Sequence, residues 1–303
     1  MNDTFDQRYA NPPVPHEVNV SEKTPLLDFL RLSLALTLLV VVITTSVFLL
    51  ARWYAPKIPF QQEMALADQI MPVTDEGAPE CRRVGEAALQ TLAEQLAKNM
   101  DLPSDMRVRI HFSAASEANA YASLGGHIFI MRGLLRHVNS ENALAMVLAH
   151  EIAHIKHRDP LVSASGGITV ALLFSSLIGG ADGGMLLGAA LGMTQMRFSR
   201  NQEIIADREA LAALQRHYGH TRGTGEFFNY IIMAEELEAI RGQRQVPVFL
   251  KTHPMTPDRI AAIHASVAPD APEPKPLSEE LQQLKTCGAA HGKRKTDSMS
   301  KRM

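Results

Sequence analysis

His150 and His154 stand four residues apart in the stretch ALAMVLAHEIAHI, residues 143–155. If that stretch is helical, the two imidazoles lie on one face, one turn apart. Both can then reach a single cation at about 2.0–2.1 Å. Glu151 follows the first histidine and points about 100° further round the helix. From there it chelates poorly, but it reaches a water held beside the cation. A carboxylate so placed can take the water's proton and later deliver it to a leaving amine. The H-E-x-x-H pattern therefore implies metal-assisted hydrolysis, with zinc as the ion that two imidazoles and a carboxylate favour.

Two histidines and a glutamate also occur together by chance, so a third ligand is needed. FSRNQEIIADREAL, residues 198–211, offers Glu203, with Asp207 four residues later on the same helical face. Glu203 completes a two-His, one-Glu set with a fourth position left for water. Asp207 is placed to accept a hydrogen bond from the distal ring nitrogen of one ligand histidine. Alone, Glu203 and Asp207 read as a solvated face near Arg200 and Arg208. Beside the His150–His154 pair they read as part of a metal centre. His157 falls near the same side and takes a flanking role, since another imidazole would close the site. His253, in THPMTPDRI, reads from its neighbours alone as a loop histidine near a helix cap.

The elements that must carry these groups are legible. Ser140 is a good N-cap for the His150 helix, with Glu141 in the favourable first turn. Ser199 and Gln202 fit a capping box opening the Glu203 helix, and Gly219 is a fitting stop. A helix is expected over Cys81–Asn99, another around Phe227–Ile240, and a short one around Gln62–Ile70. RVRIHF, residues 107–112, alternates as a strand. Gly125 and Gly126 signal a turn before a second strand at His127–Met131. That strand is the expected edge along which a substrate chain would pair. Residues 166–193 are apolar but broken by Asp182 among glycines, so the expectation is a helical hairpin near the site rather than a membrane span.

With 303 residues, 46% of them hydrophobic, the chain has ample material for one packed domain plus appendages. A formal net charge of −2 gives no electrostatic reason to expect nucleic acid as a partner. Cys81 and Cys287 are either two thiols or one long-range bridge, and a bridge would require an oxidising compartment. Residues 1–31 read as a flexible polar tail. Residues 32–51 carry no charge, and twenty helical residues span about 30 Å, the thickness of a bilayer core. We therefore expect a transmembrane anchor over 32–52. Lys23 and Arg31 before it balance Arg52 and Lys57 after it, so the charges do not orient it. A linker over 53–79, a catalytic domain over 80–268 and a disordered tail over 269–303 complete the expected layout.

Four stretches resemble the zinc metallopeptidases related to HtpX and the CAAX prenyl proteases, a gluzincin family: 119–135, 140–159, 198–211 and 252–260. They cover most of residues 115–265 in the expected order. The resemblance implies an α+β, mainly helical, zincin-type metallopeptidase domain with a small sheet, here preceded by one N-terminal transmembrane helix. It implies one Zn2+ per chain held by His150, His154 and Glu203, with Glu151 as general base and His253 as an auxiliary catalytic group. It further implies protein or peptide substrates, with misfolded or membrane-associated envelope proteins as the expected class. The expected location is a single-pass bacterial inner-membrane protein with its catalytic domain facing the periplasm. A chaperone-like or assembly factor with a latent or structural zinc site is the alternative.

Overall fold

The structure is a computed structural model describing residues 25–70, 79–165, 197–242 and 246–288. Of the tail expected over residues 1–31, residues 1–24 lie outside the described residues, as does the hairpin expected over 166–193, while residues 25–31 are helical rather than tail. The chain forms two compact units, Met1–Ser46 and Val47–Met303. In the first, the described residues belong to helix α1, Pro25–Tyr54, which starts before the expected boundary at 32. It is long and apolar enough to cross a membrane. Its leucines stand exposed, Leu32 by 71% and Leu36 by 62%, and no core among the described residues accounts for them.

The second unit is mainly helical around a small sheet. After α1 come α2, Phe60–Ile70, and α3, Glu80–Lys98. Three strands follow: β1 at Arg109–Ser113, β2 at Ala120–Ala122 and β3 at His127–Met131. Then come α4, Arg132–Leu135, α5, Glu141–Lys156, and a helical stretch α6 at 159–165. The remainder is α7, Arg200–Tyr218, α8, Glu226–Ile240, α9, Val248–Thr252, α10, Pro257–Ala265, and α11, Glu279–Leu284.

Helix α5 runs through the middle of this unit. Every residue from Glu141 to Ile155 is buried. It packs between α7, α3 and β2. Leu144, Val147 and Leu148 join Leu89 and Leu96 of α3, Ile128 and Ile130 of β3, and Phe227 and Phe228 of α8 in one core. Each such side chain contributes about 1.5–3 kcal/mol when fully buried, so α5 is fixed on all sides. Its expected cap is present, with the Ser140 side chain accepting from the Ala143 N–H. The Ser199–Gln202 capping box opens α7, and Gly219 closes it at φ 79°.

The sheet has the order β1-β3-β2, with β1 parallel and β2 antiparallel to β3. This corrects the expectation for His127–Met131. β3 is the central strand, its main-chain groups used on both sides, so no substrate chain can pair there. The edge nearest α5 is instead β2, a strand of three residues too short and too alanine-rich to show alternation. Gly125 and Gly126 make the turn between β2 and β3 at φ 70° and 80°, and a side chain at Gly126 would overlap the Arg107 carbonyl. The Gly125 N–H donates to the buried Glu63 of α2, which also pairs with Arg158 just beyond α5.

The C-terminal stretch is a second correction. Proline richness argues for a disordered tail from 269, yet residues 269–288 are packed. The Glu141 N–H donates to the Lys275 carbonyl, and the Lys275 N–H donates to Asn142 Oδ1. Ser140 and Pro276 form an isolated bridge. Helix α11 lies against α3 so closely that a side chain at Gly85 would overlap Leu284. Cys81 and Cys287 are joined by a disulfide across 206 residues of sequence. Opening a loop of that length should cost about 2–5 kcal/mol of stability. The Cys81→Ser, Cys287→Ser double variant should therefore unfold at clearly lower denaturant than wild type, and matched unfolding curves would refute that role for the bridge.

Candidate metal centre

Helices α5 and α7 cross at the centre and present three of its groups: His150 and His154 from α5, and Glu203 from the first turn of α7. A fourth, His253, comes from the residue that ends α9. One ligand atom from each of the four lies within 4.8 Å of the others, and all four residues are buried. His150 Nε2 is 3.1 Å from His154 Nε2 and 3.3 Å from His253 Nδ1. Glu203 Oε2 is 3.5 Å from His150 Nε2, while Glu203 Oε1 is 3.5 Å from His154 Nε2 and 3.0 Å from His253 Nδ1. A tetrahedron with arms of about 2.0–2.1 Å has edges of about 3.3 Å. The donor set and its spacing thus fit a zinc ion, with three imidazoles and one carboxylate converging.

Glu151, one residue from His150, is buried beside this group rather than in it. Its Oε2 accepts from the Ala122 N–H of β2 at 2.7 Å. Its Oε1 has no hydrogen-bond partner and lies 3.6 Å from His253 Nε2, which also has none. A buried carboxylate oxygen left open in this way is costly unless another group satisfies it. The two open atoms face each other beside the four-residue cluster.

The imidazoles are held from behind. His150 Nδ1 is 2.9 Å from Asp207 Oδ1, the contact expected from the sequence. His154 Nδ1 is 2.7 Å from Asp159 Oδ2, and Asp159 Oδ1 accepts from Gln202 of the capping box at 2.6 Å. Sequence reasoning missed Asp159, because five residues after His154 is not a same-face helical spacing. Arg158 intervenes with φ 59°, turning the chain so that Asp159 comes back under the ring. The stacked ring of Phe198 covers His154, its centroid 4.0 Å away.

Arg259 is the other residue that sequence reasoning missed. It is 2% exposed and donates from Nε and Nη2 to the two oxygens of Asp207 at 2.6 and 2.9 Å. Its Nη1 lies 2.7 Å from Glu203 Oε2. The available signal was Thr256 as N-cap with Pro257 behind it, which marks a helix start at THPMTPDR. Nothing in the spacing points Arg259 at Asp207. His157, by contrast, stands half-exposed against Glu209 at 2.7 Å and takes no part in the cluster.

The charges reinforce one another. Burial opposes the charged form of His150, but hydrogen bonds and charges from Asp207 and Glu203 outweigh it and lift the pKa to about 10. Burial likewise opposes charge on Glu203, yet His253, His150 and His154 hold its carboxyl well below the usual range. The His150 and Arg259 bonds overcome burial to hold Asp207 low as well. An imidazole ligates as the neutral base, so a cation must displace the protons that these carboxylates attract. Two outcomes follow. Zinc uptake at pH 7 should release protons, and the apparent affinity should rise with pH toward 10; calorimetry in buffers of differing ionisation enthalpy that showed no release would contradict this. Asp159→Asn should lower zinc affinity about 10–100-fold, measured by chelator competition, with the fold retained by circular dichroism.

A model of Peptidase family M48 matches residues 84–267, the span that contains every group just described. The beta-barrel assembly-enhancing protease of Escherichia coli is 31% identical over 159 residues, 48% of this chain but only 31% of that protein. A protease HtpX homolog of Salinibacter ruber is 27% identical over 218 residues, 62% of this chain and 77% of that protein. With the family model covering more than half of its length, the chain belongs to peptidase family M48.

Proposed function

We propose that the chain is a membrane-anchored zinc metalloendopeptidase in which His150, His154 and Glu203 hold the ion and Glu151 is the general base. The observation that carries this reading is the open Oε1 of Glu151, buried beside a four-donor cluster and fixed through Oε2 by β2. A purely structural site has no use for a buried carboxylate with one oxygen left unsatisfied. When bound, zinc would polarise the scissile carbonyl and acidify water at the site. Glu151 takes the proton from that water as its oxygen joins the carbonyl carbon. The same carboxylic acid then protonates the nitrogen as the C–N bond breaks. Asp207 and Asp159 keep the two imidazoles in the tautomer that turns Nε2 inward.

The substrate chain is assigned to β2 rather than β3. In the β2–β3 pairing, Ser123 and Asn119 bond toward β3. Ala120 and Ala122, between them in register, therefore turn their main-chain groups the other way. The Ala122 N–H is held by Glu151, so a chain adding to this edge passes directly beside the base.

His253 supplies a second feature. His253 Nδ1 lies 3.3 Å from His150 Nε2 and 3.0 Å from Glu203 Oε1, so it would be available as a fourth donor when an ion is bound, and a site held by all four residues would be latent. That feature also supports the alternative of an assembly factor with a latent site. The Cys81–Cys287 disulfide and a helix suited to a bilayer support a domain facing the periplasm of a bacterial envelope. Main-chain recognition at an edge strand tolerates varied sequence, which suits misfolded envelope proteins as substrates.

The test compares wild type with Glu151→Gln on an unfolded protein such as casein, with zinc content measured for both. The variant should keep its zinc and lose at least about 10²–10⁴-fold in rate. His253→Ala should keep zinc and retain more activity than Glu151→Gln. Full activity in Glu151→Gln would remove the mechanism, and no cleavage by a zinc-loaded wild type would favour the assembly factor.

A further inference from the structure

The same edge leads to a cavity that the reaction does not use. Ala118 lies two residues before Ala120, the first residue of β2. It lines a cavity of about 450 Å3 together with Tyr230, Ile231 and Ala234 of α8 and Val248 of α9. Helix α9 is the one that ends at His253, so both borders of the cavity continue into the metal centre. Three charged residues, Glu117, Glu238 and Lys251, also line it, and the remaining lining is apolar or tyrosine. Beyond it on α8, Met233 and Leu237 are exposed by 58% and 46%.

We infer that this cavity is a specificity pocket for one large apolar side chain of the substrate, on the C-terminal side of the cut. The inference rests on the hydrolase reading and deepens it. Glu151 sits at Ala122 and marks the scissile position. Ala118 is four residues earlier in the chain, at most about 13 Å away at about 3.3 Å per residue. That distance sets the pocket two to four residues from the cut. The neighbouring β2–β3 pair is antiparallel, and antiparallel addition is the more stable continuation of such an edge. Moving from Ala122 back to Ala118 then means moving toward the C-terminus of the substrate. A cavity of this size takes a phenylalanine or a leucine, with apolar walls against the ring or chain.

The test uses the full-length chain in detergent and two readouts. Cleavage sites in an unfolded protein are mapped by mass spectrometry for wild type and for Ala234→Trp, with Val248→Phe as a second, independent filling of the cavity. Ala234 and Val248 are only half-buried, so neither change disturbs the core. Wild type should enrich Phe, Leu, Ile or Met at one fixed position two to four residues after the cut. The filled variants should lose that enrichment, keep their zinc and still cut at sites with a small residue there. Binding is read separately on Glu151→Gln, which should hold peptides without cutting them. Fluorescent peptides differing only by Phe or Ala at that position should differ at least about tenfold in affinity, and adding Ala234→Trp should abolish the difference. No enriched position after the cut, or discrimination that survives both fillings, would overturn the pocket. If peptides are discriminated but never cut by wild type, the hydrolase reading fails and the pocket stands.

Discussion

Glu203 is a carboxylate placed where water cannot reach it, and its neighbours are arranged around that difficulty. A buried negative charge must be paired or neutralised. Here two imidazoles from α5, a third from the end of α9 and the guanidinium of Arg259 surround it. Asp207 then answers the charge that Arg259 brings, and Asp207 in turn holds His150. The alternation of acid and base leaves the helix crossing of α5 and α7 with charge balanced over a few ångströms. The same crossing is enclosed by leucines and phenylalanines that keep the local dielectric low, so each of these contacts is strengthened.

The small sheet serves this crossing rather than the core alone. β3 is spent on structure, bonded on both sides and contributing Ile128 and Ile130 to the packing. β2 contributes little bulk, but its Ala122 N–H fixes one oxygen of Glu151, leaving the other open 3.6 Å from His253 Nε2. Small side chains at Ala120 and Ala122 are buried against α5, and this lets the strand approach that helix closely. A glycine turn, tied through Glu63 to Arg158, then sets the strand's position against the end of α5.

What could be read from sequence was local. Helix capping at Ser140 and Ser199, the stop at Gly219 and the i, i+4 pairs His150–His154 and Glu203–Asp207 all obey short-range geometry, and the structure places them accordingly. What could not be read depends on how distant elements meet. Asp159 reaches His154 only because Arg158 adopts a left-handed backbone, and no spacing rule contains that turn. Arg259 finds Asp207 across 52 residues of sequence. The order β1-β3-β2 reverses the roles of two strands, and three residues of Ala-Tyr-Ala carry no pattern from which to infer it. Residues 269–288 look like linker by composition, yet they are ordered by their contacts with α5 and α3 and by a covalent bond.

That last segment sets the order in which the molecule can be completed. The first turn of α5 receives its carbonyl and amide partners from Lys275, a residue 133 positions beyond Asn142, and Cys81 waits 206 positions for Cys287. Contacts of such long sequence separation form late, since chain-closure entropy must be overcome first. A polypeptide emerging from its N-terminus therefore carries His150, Glu151 and His154 long before it carries Arg259, Lys275 or Cys287. The incomplete chain lacks the groups that neutralise and tighten the centre. A protease built this way acquires its finished centre only once the chain has been made through Arg259, Lys275 and Cys287, which separates the synthesis of its H-E-x-x-H helix in time from its capacity to cut.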